Sequence, residues 1–156
     1  MSHSHDDVGW LNTPDEYYDQ RVSHILTSVV EALTQNEDRT FSQTEIFYFE
    51  RWWNLQNDTV KAKVHQLVRE GRFEFVNGGW VASDEACPTY EEFLLNMLLG
   101  HTFLNSTFGY VPKHAWSVDA FGHSSVTPEL LKRMGFESLF FSRVSTEERN
   151  FRKSNK

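Results

Sequence analysis

Two short segments hold most of the residues able to do chemistry. His3-Ser4-His5-Asp6-Asp7-Val8-Gly9-Trp10 opens the chain, and Trp116-Ser117-Val118-Asp119-Ala120-Phe121-Gly122-His123-Ser124 lies far downstream. Together they offer an imidazole and two carboxylates, donors that a divalent cation such as zinc accepts. In extended chain, residues two apart share a face, so His5 and Asp7 point together, and His3 joins them only if the strand reaches that far. Trp10 places an aromatic wall beside them, as sugar and cation sites do. Asp119 stands between Val118 and Ala120, framed by Trp116 and Phe121, where an ionised carboxylate is costly unless paired or metal-bound. Arg143 offers such a pairing. The plainer alternatives for the same residues are a solvated His/Asp tail, an Asp119 that caps the following turn, and a surface Arg143.

Bringing these residues together needs a frame. Residues 1 to 9 read as a strand end running into a Gly turn. From Pro14 to about Gln35, Tyr17, Tyr18, Val22, Ile25, Leu26, Val29, Val30 and Leu33 recur at helical spacing, with Thr13 as N-cap and Pro14 at the first helical position. Glu45 to Phe49, an apolar and aromatic run, reads as a strand, and Arg51-Trp52-Trp53 begins a helical stretch. Asp58 caps a helix closed by Gly71, Arg72 to Val76 is a strand, and Asn77-Gly78-Gly79 breaks it. A helix follows from about Thr89 to Phe108, then a strand from Lys113 to Asp119. A short helix over Pro128 to Met134 ends at Gly135, and a fifth strand runs from Glu137 to Arg143. Alternation of this kind means an α/β fold with right-handed crossovers and a parallel sheet, compatible with a closed barrel or an open doubly wound sheet. Ligands gather at the carboxyl ends of such strands, where Asp7, Asp84, Glu85, Asp119 and Arg143 all fall. Residues 1–144 form one domain in this reading, and 145–156 a charged, loose tail.

At 156 residues and 39% hydrophobic, the chain can bury a real core. A formal charge of −7 without a basic stripe argues against nucleic acid. Aromatic residues reach 15%; most, Trp52 and Trp53 included, are expected in the core. The single Cys87 excludes an internal disulfide and reads as a small buried hydrophobe. No apolar run is long enough to span a bilayer, and the N-terminus lacks the basic and apolar regions of a signal peptide. Asn57-Asp58-Thr59 and Asn105-Ser106-Thr107 are N-glycosylation triplets. His24, His65, His101 and His114 read as surface or packing residues, and His123 sits at the rim of the expected site.

The motifs also carry a resemblance. His-Ser-His-Asp-Asp-Val-Gly-Trp, Arg51-Trp52-Trp53, Asn77-Gly78-Gly79-Trp80-Val81 with Asp84-Glu85-Ala86, and Ala115-Trp116-Ser117-Val118-Asp119 with Phe121-Gly122-His123-Ser124 occur in order. They resemble the amino-terminal part of glycoside hydrolase family 38, and within it the lysosomal alpha-mannosidases. The resemblance implies the first part of a (β/α)7 barrel and zinc as cofactor. It matches His5, Asp7 and Asp119 to the zinc ligands, Asp119 also to the nucleophile of a retaining mechanism, and Trp10, Phe121 and Arg143 to substrate-site positions. His3 and Asp6 match motif positions that are not ligands. The implied partners are mannose-containing oligosaccharides, and the implied location is the lysosome or another secretory compartment. Val8 stands where relatives commonly have Pro. The family's fourth zinc ligand, a His, and its acid/base Asp are expected beyond Lys156. This chain would then be a truncated part with little hydrolytic activity by itself, Asp84 and Glu85 being structural or supporting. Two alternatives remain: a non-catalytic zinc- or mannose-binding remnant, and another metal-dependent carbohydrate enzyme such as a polysaccharide deacetylase.

Overall fold

The computed structural model describes residues 1–155. Four short strands form two parallel pairs: β1 (Phe41–Gln43) with β2 (Phe73–Phe75), and β3 (His114–Ser117) with β4 (Ser138–Phe141). The registers run Phe41 to Phe73 in the first pair and His114 to Ser138 in the second. Asn77 N–H donates to the His114 carbonyl at 2.7 Å, linking β2's end to β3. The chain start contributes a single parallel bridge, His3 with Ser42, in place of the expected first strand. Within each pair the segments run the same way, so their carboxyl ends share one edge of that pair.

One expected strand is corrected. Glu45 to Phe49 is not extended: β1 lies just before it, and helix α3 (Ile46–Asn54) begins at Ile46. Ile46, Tyr48, Phe49, Trp52 and Trp53 are all buried, and a short run buried on every side has no periodicity that separates helix from strand.

The other helices follow their local signals. Thr13 and Glu16 form a reciprocal capping box at α1 (Pro14–Tyr17), which passes through a π-helical turn (Tyr18–Val22) into α2 (Ser23–Gln35). Tyr18, Val22, Leu26 and Val30 are buried at steps of four. Each such step overshoots a straight α-helix by about 40°, and the wider π turn takes up part of that drift. Helix α4 (Asp58–Arg69) is capped by Asn57, whose side chain accepts from Val60 N–H, with Asp58 as its first residue. Thr89 and Glu92 form a second capping box at α5 (Tyr90–Phe108). Helix α6 (Thr127–Arg133) precedes β4, and the charged segment after Ser145 is helical, α7 (Thr146–Ser154), with none of its residues buried.

Phe49 is the hub of the main core, its ring 4.8 Å from Phe75, 5.6 Å from Phe73 and 6.0 Å from Phe108. Trp52 and Trp53 are buried beside it, with Leu26, Val64 and Leu104 from neighbouring helices. A smaller cluster of Met97, Ala115, Leu131 and Phe136 supports β3 and β4. Helix α5 lies so close to the Asn77-Gly78-Gly79 break that a Cβ on Gly100 would stand 1.9 Å from the Gly78 carbonyl oxygen. Cys87 is exposed rather than buried, in the loop before α5 with Sγ 3.7 Å from Asp84 Oδ2. No helix among the described residues is long and apolar enough to cross a membrane.

Candidate functional site

The opening loop is held by identifiable contacts. Asp6 points inward, where Ser4 Oγ donates to its Oδ2 at 2.7 Å, and burial pushes its carboxyl above the usual range. The alternation of extended chain therefore sends His5 and Asp7 the other way. The Tyr48 hydroxyl, from α3, donates to the Asp7 carbonyl at 2.8 Å, and Gly9 makes the turn with φ 83°. A residue with a Cβ rarely adopts that conformation.

Asp119 arrives from the other pair of strands, just beyond β3. His5 Nε2 stands 3.2 Å from Asp7 Oδ1 and 3.5 Å from Asp119 Oδ2. One donor atom from each of the three residues lies within 4.8 Å of the others. His5 Nε2 is buried yet has no hydrogen-bond partner, an orphan atom facing two carboxylates. Ligands about 2.0–2.1 Å from a tetrahedral cation are roughly 3.4 Å apart, close to both distances. The three residues thus fit a divalent ion of zinc's size. His3 stays outside the cluster, its ring edge-on to Trp116 at 4.8 Å.

Arg143, beyond β4, donates from Nη2 to Asp119 Oδ1 at 2.5 Å, and its guanidinium carbon lies 4.5 Å from the Phe121 ring centre. That hydrogen bond, helped by the charges of Arg143 and His5, holds the Asp119 carboxyl below the usual carboxylate range. One carboxylate oxygen is therefore fixed by Arg143 while the other faces His5.

The cluster floors an open cleft of about 650 Å³ that Asp84, Trp116 and Ser117 also line. Trp10 and Phe121 stand on its walls, 74% and 71% exposed, leaving aromatic surface free for a ligand. Glu85 turns out of the cleft towards the turn after Phe121, where it meets His123 at 3.1 Å. His65 packs against Trp53 and Phe108, His101 bonds to the Asn77 carbonyl at 2.9 Å, His114 to Ser138 Oγ at 2.8 Å, and His24 is exposed.

Sequence reasoning missed Glu45. Its side chain is 0% exposed, with Oε1 3.6 Å from His5 Nδ1 and neither oxygen in a well-formed hydrogen bond. Burial, then the charge of Asp6, pushes its carboxyl up to about 8, against the partial support of the Glu45 and Asp6 backbone amides. Metal-bound imidazoles usually have a carboxylate or carbonyl behind them that fixes the ring, and Glu45 occupies that place. The available signal was a carboxylate opening an apolar run, the feature that marked Asp119.

Parallel strands flanked by helices make this an α/β domain, with a His5-Asp7-Asp119 cluster in an open, aromatic-walled cleft. Comparison narrows the class: the family model described as glycosyl hydrolases family 38 N-terminal domain matches residues 1–156, and the chain belongs to that family. It is similar to alpha-mannosidase C of Dictyostelium discoideum, 46% identical over 144 residues that cover 92% of this chain and 13% of that protein. It is also similar to the lysosomal alpha-mannosidase of Felis catus, 42% identical over 165 residues covering 99% of this chain and 16% of that protein. The chain thus spans between an eighth and a sixth of the length of these relatives. Among solved structures, an alpha-mannosidase from Enterococcus faecalis V583 shares the fold, with a TM-score of 0.77 at 21% identity over 92% of this chain and 16% of that one.

Proposed function

We propose that this chain supplies the metal- and sugar-binding part of a zinc-dependent, retaining alpha-mannosidase site. The observation that carries the reading is the orphan Nε2 of His5 between Asp7 and Asp119. His5, Asp7 and Asp119 would hold the zinc, which when bound would act as a template that orients mannose through its neighbouring cis 2- and 3-hydroxyls. Trp10 and Phe121 present apolar faces to the sugar's C–H surface.

Asp119 is the nucleophile in this reading. With Arg143 on Oδ1 it stays ionised in acid, so its carboxylate can bond the anomeric carbon as the bond to the leaving oxygen breaks. The leaving oxygen needs a proton from a second carboxyl about 5 to 5.5 Å away. In this reading the chain by itself binds metal and mannose and turns the sugar over slowly. The lysosomal relatives point to a lysosomal or other secretory location.

Family membership favours this reading over a polysaccharide deacetylase. An assay with an aryl alpha-mannoside and zinc tests it. Zinc-dependent binding with little turnover is expected; fast turnover lost in D119N would show a complete active site, and no zinc-dependent binding would overturn the reading.

A further inference from the structure

Arg143 is itself held in place by groups outside the metal cluster. Glu85, in the loop between β2 and α5, has a side chain only 8% exposed. Its carboxylate accepts from Ser124 N–H at 2.6 Å and from the Thr127 hydroxyl at 2.7 Å, and lies 3.1 Å from His123 Nδ1. The opposite ring nitrogen, His123 Nε2, lies 2.8 Å from the Arg143 carbonyl oxygen. The Phe141 ring sits edge-on to the imidazole at 5.3 Å. Both partners of the ring are acceptors, and an imidazole ring with a proton on each nitrogen donates to both. The ring thus ties the Glu85 loop and the turn after Asp119 to the backbone of the residue whose guanidinium grips Asp119.

We propose that His123, anchored by Glu85, is a positioning residue: it fixes the Arg143 backbone so that the guanidinium meets Asp119 and aims the carboxylate's free oxygen at His5. Its importance for activity rests on the reading of Asp119 as nucleophile and ligand, but the geometric claim stands apart from that reading. Beyond the strand ends, the Ser142 hydroxyl, donating to the Val118 carbonyl, is a further side-chain tie between these two segments, and errors of about 1 Å in such groups cost large factors in rate.

Two near-isosteric substitutions separate the ring's two bonds. H123Q places an amide nitrogen near the former Nε2 and keeps the bond to Arg143; H123N places one near Nδ1 and keeps only the bond to Glu85. The readout is the side-chain nitrogen NMR signals of Arg143 in the metal-free, full chain, where a guanidinium locked on a carboxylate shows hindered rotation. D119N gives the reference for an unlocked group. Hindered rotation is expected in the parent chain and in H123Q, and its loss in H123N, with the backbone spectrum of β1 and β2 unchanged. Retained hindrance in H123N, or equal loss in both variants, overturns the proposal. If either variant fails to fold, E85Q serves instead, with loss of hindrance expected and its retention overturning the idea. Zinc binding plays no part in this readout, so a chain that takes up no zinc would sink the mannosidase reading and leave this result untouched.

Discussion

His5 Nε2 stands 3.5 Å from Asp119 Oδ2, joining the loop that opens the chain to the turn beyond β3. No backbone ladder connects these two loops directly. Their meeting is a product of the fold.

Arg143 is the largest influence keeping Asp119 ionised. In R143A the carboxyl of Asp119 is expected to titrate at higher pH than in the parent chain, moving back towards the ordinary range. Carbon NMR of the labelled carboxyl in metal-free protein checks this; an unchanged midpoint would show that the ion pair is absent in solution.

Glu45 makes stability depend on pH with a definite sign. Its folded value of about 8 lies above the ordinary carboxyl value of 4.5, so between these limits the folded chain keeps a proton that the unfolded chain has lost. Stability of the metal-free protein is therefore greatest below that window and falls as pH rises through it, by at most about 1.4 kcal/mol per pH unit for this one proton. Asp6, raised by burial as well, adds a slope of the same sign at lower pH. Urea unfolding of E45Q in chelator is expected to show a flatter profile and greater stability than the parent at pH 8. An identical profile would mean that Glu45 is hydrated.

Gly100 is where α5 touches the Asn77-Gly78-Gly79 break. The methyl of G100A would collide with backbone at 1.9 Å, and backbone cannot rotate aside as a side chain can. A loss of about 3 kcal/mol or more is expected, at or beyond the upper end for overpacking, read from urea midpoints. A change under about 1 kcal/mol would mean that α5 sits farther from the break.

Trp10 is exposed on the cleft wall, so W10A should leave stability nearly unchanged. Binding of methyl alpha-mannoside to the zinc-loaded chain is expected to weaken by about tenfold, in line with roughly 1.4 kcal/mol of stacking. Calorimetry measures both the mannoside affinity and, as a control, an unaltered zinc affinity.

Much of this arrangement was legible in the residue pattern. The long helices, the parallel pairing and the common edge of the site followed from periodicity, caps and alternation, because such signals are local and repeated. The α3 segment was not legible: Ile46, Phe47, Tyr48 and Phe49 are apolar in a row, and a run that is apolar at every position looks the same wound or extended. The first strand shrank to one bridge because its pairing depends on Ser42, a partner that spacing along the chain does not reveal. Glu45 escaped notice for the same reason as α3, since its meaning lies in the His5 ring beside it. The residue pattern puts His123 only at the rim; its two bonds, to Glu85 and to the Arg143 carbonyl, are long-range contacts that no motif spells out.

The central claim, that His5, Asp7 and Asp119 act together to hold a metal and through it mannose, is tested most directly by one titration. Zinc is added to the chelator-stripped chain and to D119N, followed by calorimetry with methyl alpha-mannoside. The parent is expected to bind one zinc and to bind the mannoside only afterwards, while D119N loses zinc affinity by on the order of 100-fold or more, beyond the usual effect of a supporting residue. Equal zinc affinity in the two proteins, or mannoside binding that ignores zinc, would contradict the account.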